Sequence, residues 1–217
     1  MDWSLAIDIN RKALLRIVAG LFVMAGFVPG GALVETLARH VHVAIFAVLR
    51  PAEAAVRRLI VMQAWGLDSP GHVPGTAPAG PISGKNGKGR VPAFPLFDPR
   101  MTVDPGRKRA PRNGPNIRFF DGLDEPFRAR KAATPDDPVS ALRLCQRLLA
   151  IRAALNDLPK QARRLMRALA RPSCKWKRVM RYARPPGHRA KGKREIDMLL
   201  ANLQIFALWA TEAPDTG

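Results

Sequence analysis

The chain of 217 residues carries 36 Lys and Arg residues against 17 Asp and Glu residues, a formal net charge of +19. It contains only two cysteines, which excludes a secreted scaffold held together by several disulfides. Residues 1–66, 67–138 and 139–217 carry net charges of +3, +4 and +12, and the middle region alone holds 13 Pro and 9 Gly. A uniformly globular chain is therefore excluded as well, and we divide the sequence into three regions at these boundaries.

The first region, 1–66, is predicted to be a membrane-associated helical region. Residues 17–34 form a run of 18 positions without a charge, and Arg11, Lys12 and Arg16 precede it. Such a run is close to the length of about 20 apolar residues that a membrane span needs. We therefore predict a transmembrane helix over 13–34 in the inner (cytoplasmic) membrane, with the basic C-terminal region in the cytoplasm.

The turn signal Pro29-Gly30-Gly31 inside this run leaves other interpretations open. The chain could turn there and return through 32–49, although the charged residues of that limb are costly inside a bilayer. The region could also lie on the membrane surface, or form the core of a soluble helical domain in the cytoplasm. A cleaved signal peptide is a weaker alternative, because Asp2 and Asp8 stand where a leader should be basic.

Two amphipathic helical patterns complete the first region. Apolar residues recur at three- and four-residue spacing from Leu37 to Val48 and again from Ala52 to Trp65. The dipeptide Arg50-Pro51 between them predicts a break at which a second helix begins, since proline is well tolerated at a first helical position.

The second region, 67–138, is predicted to be a Pro/Gly-rich linker that is largely disordered, because it cannot bury enough apolar area to offset its ordering entropy. Its Gly-rich stretch, 83–90, lacks the spacing and the preceding strand of a phosphate-binding loop. Two aromatic segments, 94–98 and 117–121, interrupt the polar composition. We expect them to clamp onto the protein's own helices, with docking to a partner as the alternative.

The third region, 139–217, is predicted to be a basic helical domain. Apolar residues recur with helical spacing from Leu144 to Leu155, and residues 159–171 separate into one apolar and one basic side. These two segments indicate a basic helical hairpin, and a final apolar helix begins at Glu195. The predicted fold class is therefore mainly α: N-terminal apolar and amphipathic helices, an irregular linker, a basic hairpin and a final apolar helix.

Basic residues concentrate on the outer side of the second hairpin helix and in the segment that follows it. We predict that they bind an anionic membrane surface, because attraction to lipid headgroups would act together with the N-terminal attachment. The alternative partner is nucleic acid, with the two aromatic residues of the segment stacking on bases. The candidate binding residues are Lys160, Arg163, Arg164, Arg167, Arg171, Lys175, Trp176, Lys177, Arg178, Arg181, Arg184 and Arg189, and Tyr182 is the second aromatic.

Three segments, 50–60, 158–165 and 184–189, resemble parts of uncharacterised alphaproteobacterial proteins. This family has no assigned activity, so the resemblance implies no catalytic residues. Motifs of hydrolases and zinc peptidases are missing from the sequence, and we expect a binding or structural protein without cofactor, metal or small-molecule substrate rather than an enzyme. Cys145 and Cys174 are expected to be reduced thiols, with a single disulfide as the alternative.

Overall fold

A computed structural model describes residues 3–27, 34–66, 92–98, 134–170, 179–180, 185–188, 192 and 194–212. The elements are α1 (Trp3–Met24), β1 (Thr36–Ala38), α2 (Arg39–Gly66), β2 (Pro138–Ser140), α3 (Leu142–Asn156), α4 (Leu158–Leu169) and α5 (Glu195–Glu212). The predicted mainly α class is confirmed for these residues. Cys145, on α3, is buried and free, whereas Cys174 lies outside the described residues.

Helix α2 is the central element of the bundle, and each of the other four helices packs against it. All of its residues from Pro51 to Met62 are buried. A helix that is buried on every side belongs in the middle of a core rather than on a surface. Apolar side chains from all five helices and from the segment 92–98 form one hydrophobic cluster around it, so the two ends of the chain share a core.

The predicted break at Arg50-Pro51 is wrong, because α2 runs through Pro51 without ending. Proline has no backbone N–H and cannot bond the carbonyl of Ala47, four residues earlier. Arg194 supplies the missing donor, since its Nη1 lies 3.1 Å from the Ala47 oxygen. Asp197 holds the same guanidinium through Nε and Nη2, at 2.8 and 3.0 Å. A side chain just before α5 therefore completes the hydrogen bonding of α2.

The predicted transmembrane helix is wrong. Among the described residues, no helix is both long enough and apolar enough to cross a membrane. Helix α1 begins at Trp3 and ends at Met24, so it includes four charged residues before the charge-free run and covers only the first eight positions of that run. Eight helical residues rise about 12 Å, which is far less than the thickness of a bilayer core.

The apolar residues of α1 lie against the protein itself. Leu14, Val18, Leu21 and Phe22 are buried in the shared core. After the helix, Gly26 adopts a φ of +62°, a conformation that favours glycine. Residues 28–33, which contain the Pro-Gly-Gly turn signal, lie outside the described residues.

A short antiparallel pair, β1 with β2, joins the start of α2 to the start of α3. Leu37 faces Val139 at the centre of this pair. Just outside it, the backbone N–H of Arg39 donates to the carbonyl of Asp137 over 3.0 Å. The sequence patterns predicted no strand here, because three residues are too few to show an alternating pattern.

The first aromatic segment of the linker packs into the core. Phe94 and Leu96 are buried against α2 and its neighbours, and Asp98 is completely buried. The expectation that this segment clamps onto the protein's own helices is therefore confirmed. The second aromatic segment, 117–121, lies outside the described residues.

Candidate functional site

Of the five described helices, α4 has the sharpest division between an apolar and a charged side. Asp157 caps the helix by accepting a hydrogen bond from the backbone N–H of Lys160 at 3.1 Å, and Pro159 occupies the first turn. The apolar side is buried in the core through Leu158, Ala162 and Leu165. The local sequence thus fixes both where α4 begins and which of its sides faces water.

Four of the twelve predicted binding residues lie on α4. Lys160, Arg163 and Arg167 are exposed, at intervals of three and four residues, and we call these three side chains the basic face. Seven residues of helix separate its ends, a rise of about 10 Å. The other eight predicted residues lie outside the described part of the chain: Arg171, Lys175, Trp176, Lys177, Arg178, Arg181, Arg184 and Arg189.

Arg164, the fourth predicted residue on α4, is half-buried and makes internal contacts. Its Nη1 donates to the carbonyl of Phe94 at 2.8 Å and to Oε1 of Gln161 at 3.1 Å. Burial lowers the pKa of the Arg164 guanidinium, and the nearby positive charge of Arg167 lowers this pKa further. Arg164 therefore attaches the segment 92–98 to α4, and it does not belong to the basic face.

The positive charge of the basic face is not neutralised by the described residues. Every ion pair that they form uses other cations, and none includes Lys160, Arg163 or Arg167. Within this face, Nε of Arg167 donates a long hydrogen bond of 3.4 Å to the carbonyl of Arg163. A cluster of three exposed cations without acidic partners among the described residues favours electrostatic contact with an anionic surface.

A second set of charges, which the sequence patterns did not reveal, lies inside the bundle. Arg58 is completely buried and donates two parallel hydrogen bonds to Asp98, each 2.9 Å long. Its Nε donates to Oε1 of Gln204 at 2.7 Å, and its Nη1 also reaches the carbonyl of Ala54 at 3.1 Å. All five guanidinium donors of an arginine seek partners, and this environment supplies four contacts from three directions.

Arg57 extends this internal cluster. Its Nε donates to the carbonyl of Pro95 at 3.1 Å, and its Nη1 lies 3.5 Å from Oδ1 of Asp98. Burial lowers the pKa of Arg57, while the negative charges of Glu53 and Asp98 oppose that change. Glu53 in turn accepts two hydrogen bonds from Arg147, each 2.7 Å long. The cluster therefore joins α2, α3 and the segment 92–98.

Cavities on the described surface include two that are lined by residues of α1, α2 or α3. The larger, about 670 Å³, lies between α1 and α3 and is lined mainly by apolar side chains, with Arg152 placed 5.8 Å from the ring centre of Phe22. The smaller, about 460 Å³, lies between α2 and the turn that ends at His188. The described residues contain no group of three or more side chains that could hold a metal ion.

Comparison of the chain with protein-family models, with curated proteins and with solved structures finds no match. The resemblance to uncharacterised alphaproteobacterial proteins thus stays a prediction.

Proposed function

We propose that this protein is a binding protein that attaches to the surface of anionic membranes through the basic face of α4. The observation that carries this proposal is the free positive charge of Lys160, Arg163 and Arg167, which are exposed and have no acidic partner among the described residues. The apolar side of α4 is buried in the core. The helix therefore offers charge to a membrane and no apolar face to insert into it.

The expected strength of this attachment is modest. Each Lys or Arg near an anionic membrane contributes about 1 kcal/mol, so the three cations of the basic face supply about 3 kcal/mol together at low salt. Seven of the predicted binding residues between 171 and 189 are basic and would add to this attraction. The anionic headgroups of the cytoplasmic leaflet are the natural target, which agrees with a basic C-terminal region in the cytoplasm.

Lipid is preferred over nucleic acid because α4 carries no aromatic residue. Its sequence from Leu158 to Leu169 therefore offers no aromatic ring on which a base could stack. Trp176 and Tyr182, the aromatic residues considered for stacking, lie outside the described residues. Binding to anionic lipid headgroups requires only positive charge, which the basic face provides.

The experiment measures cosedimentation of the full-length protein with phosphatidylcholine vesicles, with and without anionic phosphatidylglycerol. We expect binding that rises with anionic lipid and falls with salt, because screening weakens contacts between exposed charges. The double variant Arg163→Glu with Arg167→Glu should lose most of this binding. Arg164 is left unchanged because of its internal contacts.

The matched control is Lys12→Glu with Arg143→Glu, which changes the net charge equally at exposed positions of α1 and α3. Circular dichroism of both variants should show unchanged helix content. Equal loss of binding in the two variants, or no vesicle binding at low salt, would refute the proposal. Binding of duplex or single-stranded DNA by a protein that ignores the vesicles would assign the basic face to nucleic acid instead, and the logarithm of the affinity should then fall linearly with the logarithm of the salt concentration.

A further inference from the structure

The segment 92–98 lies against α2 and α4 in the way that a bound peptide lies on a protein. It belongs to no helix or strand, and its apolar anchors are Phe94 and Leu96, both buried, with Phe97 half-buried beside them. At its end, Asp98 is buried against two arginines of α2. We call 92–98 the docked segment, and the surface of α2 and α4 that it contacts the docking groove.

The groove also holds the backbone of the docked segment. Nε of Arg57 donates to the carbonyl of Pro95 at 3.1 Å, and Nη1 of Arg164 donates to the carbonyl of Phe94 at 2.8 Å. Every residue has a backbone carbonyl, so these two bonds do not depend on which side chains the segment carries. The groove therefore selects its occupant through the buried positions, two apolar side chains and one carboxylate.

The chain contains a second segment of the same pattern. Residues 92–98 are Pro-Ala-Phe-Pro-Leu-Phe-Asp, and residues 115–121, which lie outside the described residues, are Pro-Asn-Ile-Arg-Phe-Phe-Asp. The first, sixth and seventh positions are identical, and the third and fifth are one aromatic and one aliphatic residue in both. The second and fourth positions differ in character, and the docked segment exposes both of them, Ala93 and Pro95. The repeat segment, as we call 115–121, thus keeps what the groove buries and differs where the groove leaves the side chain in solvent.

The buried arginine restricts what can leave the groove. Arg58 is completely buried and donates two hydrogen bonds of 2.9 Å to Asp98. Removing one partner of such a pair is strongly destabilising, because the other charge stays buried without compensation. Release of the docked segment alone is therefore unfavourable. Replacement by another segment that ends in aspartate keeps the charge of Arg58 compensated.

The chain is long enough for the repeat segment to reach the groove. The groove holds its aspartate beside Arg58, and the described chain resumes at Thr134, whose neighbour Pro135 bonds to His40 near the start of α2. Along α2, the distance from position 40 to position 58 is about 27 Å. The thirteen residues that follow Asp121 up to Thr134 span at most about 45 Å. The repeat segment can therefore occupy the groove while β2 keeps its place.

We propose that the docking groove recognises the pattern Pro-x-apolar-x-apolar-Phe-Asp, and that the repeat segment of the same chain is its second ligand, able to replace the docked segment. Asp121 then takes the position of Asp98 beside Arg58, while Ile117 and Phe119 fill the two buried apolar positions. The chain exchanges one occupant for another without leaving the buried charge uncompensated. None of the three residues of the basic face takes part, so this exchange does not depend on the proposed lipid binding.

Urea unfolding of the full-length protein, followed by circular dichroism, tests the replacement. Asp121→Asn alone should leave the midpoint unchanged, because the docked segment fills the groove. Asp98→Asn should lower the midpoint, because the repeat segment is the less favoured occupant. In that background, Asp121→Asn should lower it further by at least about 0.3 M, because no segment with the required carboxylate is left. The matched control, Asp124→Asn, removes a carboxylate just outside the repeat and should change the midpoint in neither background.

A synthetic peptide of residues 113–123, labelled with a fluorophore, tests recognition directly. Fluorescence anisotropy should show saturable binding to the full-length variant Asp98→Asn with Asp121→Asn. An unlabelled peptide of residues 90–100 should compete, and asparagine in place of Asp121 in the labelled peptide should weaken its binding by at least roughly tenfold.

Two results overturn the proposal by unfolding: Asp98→Asn alone fails to fold, or Asp121→Asn and Asp124→Asn have equal effects in its background. Peptide binding that is absent, or that does not change when the aspartate becomes asparagine, overturns it as well. A double variant Asp98→Asn with Asp121→Asn that fails to fold supports the replacement when the control pair, Asp98→Asn with Asp124→Asn, folds.

Discussion

The buried ion cluster should make the bundle sensitive to the loss of a single carboxylate in the middle of the chain. Asp98 is 0 % exposed, accepts two hydrogen bonds of 2.9 Å from Arg58 and lies 3.5 Å from Arg57. Asp98→Asn keeps the size of this side chain and removes its charge. Arg58, which is 0 % exposed, would then remain buried beside a neutral amide, whereas Arg57 would keep Glu53 at 3.7 Å.

Breaking a buried pair by removing one partner costs about 3–5 kcal/mol, since the remaining charge is left uncompensated in a poorly solvated site. A domain of this kind has a total stability of only about 5–15 kcal/mol, so Asp98→Asn should remove a large share of it. The measurement is urea unfolding of the full-length protein, followed by circular dichroism at the helix wavelength. The free energy of unfolding comes from the midpoint and slope of the curve.

The matched control is Glu195→Gln, which removes one carboxylate from the exposed pair of Glu195 with Arg16. Exposed pairs contribute less than about 1 kcal/mol, so this variant should unfold almost as the wild type does. If Asp98→Asn also stays within about 1 kcal/mol of the wild type, the buried cluster contributes no such stability, and the reasoning about the segment 92–98 fails.

Two further predictions test local geometry and pH dependence. Gly187→Ala should destabilise the protein by about 1–3 kcal/mol in the same urea assay. Gly187 has a φ of +83°, and a Cβ atom there would lie 2.6 Å from the backbone nitrogen of Pro51 in α2. The control Gly20→Ala, in a helix with no atom within 4 Å of the added methyl group, should not destabilise the protein. Hydrogen bonds from the hydroxyl and backbone N–H of Thr134 lower the pKa of Asp137. The ionised carboxylate therefore stabilises the folded protein at pH values above the ordinary pKa of an aspartate, about 3.9. This contribution is lost as the pH falls through the lowered pKa. Thermal unfolding of Asp137→Asn should therefore begin below the wild-type temperature at neutral pH and converge with it in acid, and a gap that persists in acid would contradict this assignment.

The helices could be predicted from the sequence because their apolar residues recur with a local period. Helix α4 is the clearest case: Ala162 and Leu165 fall on one side and Arg163 and Arg167 on the other, as the buried and exposed residues of the structure do. Each of these assignments needs only neighbours within a few residues. Local periodicity does not, however, reveal which long-range partner covers an apolar side.

The predictions that proved wrong, and the ion cluster that was missed, all depend on contacts between residues far apart in the sequence. The charge-free run after Arg16 suited a bilayer as well as a protein core, because both are apolar environments, and only the packing of α1 on α2 and α3 separates them. The break predicted at Pro51 is absent because Arg194 donates a hydrogen bond to the carbonyl that the proline leaves without a donor. Arg194 lies more than one hundred positions away in the sequence, so no local pattern could reveal this contact. Asp98 lies 40 positions from Arg58, and neither residue has a spacing that would indicate the other.

The arginines of this chain therefore fall into two groups, those held in internal ion pairs and those whose charge is exposed to solvent. Arg58 is bound to Asp98 inside the bundle and the partly exposed Arg194 is bound to the buried Asp197, while the basic face of α4 remains open to solvent. Salt screens exposed charges strongly and buried pairs weakly. Added salt should consequently release the protein from an anionic surface while leaving its helix content intact. These internal pairs are neutral and leave the net charge at +19, but the count of 36 Lys and Arg residues overstates the number of cations that are available to a polyanion.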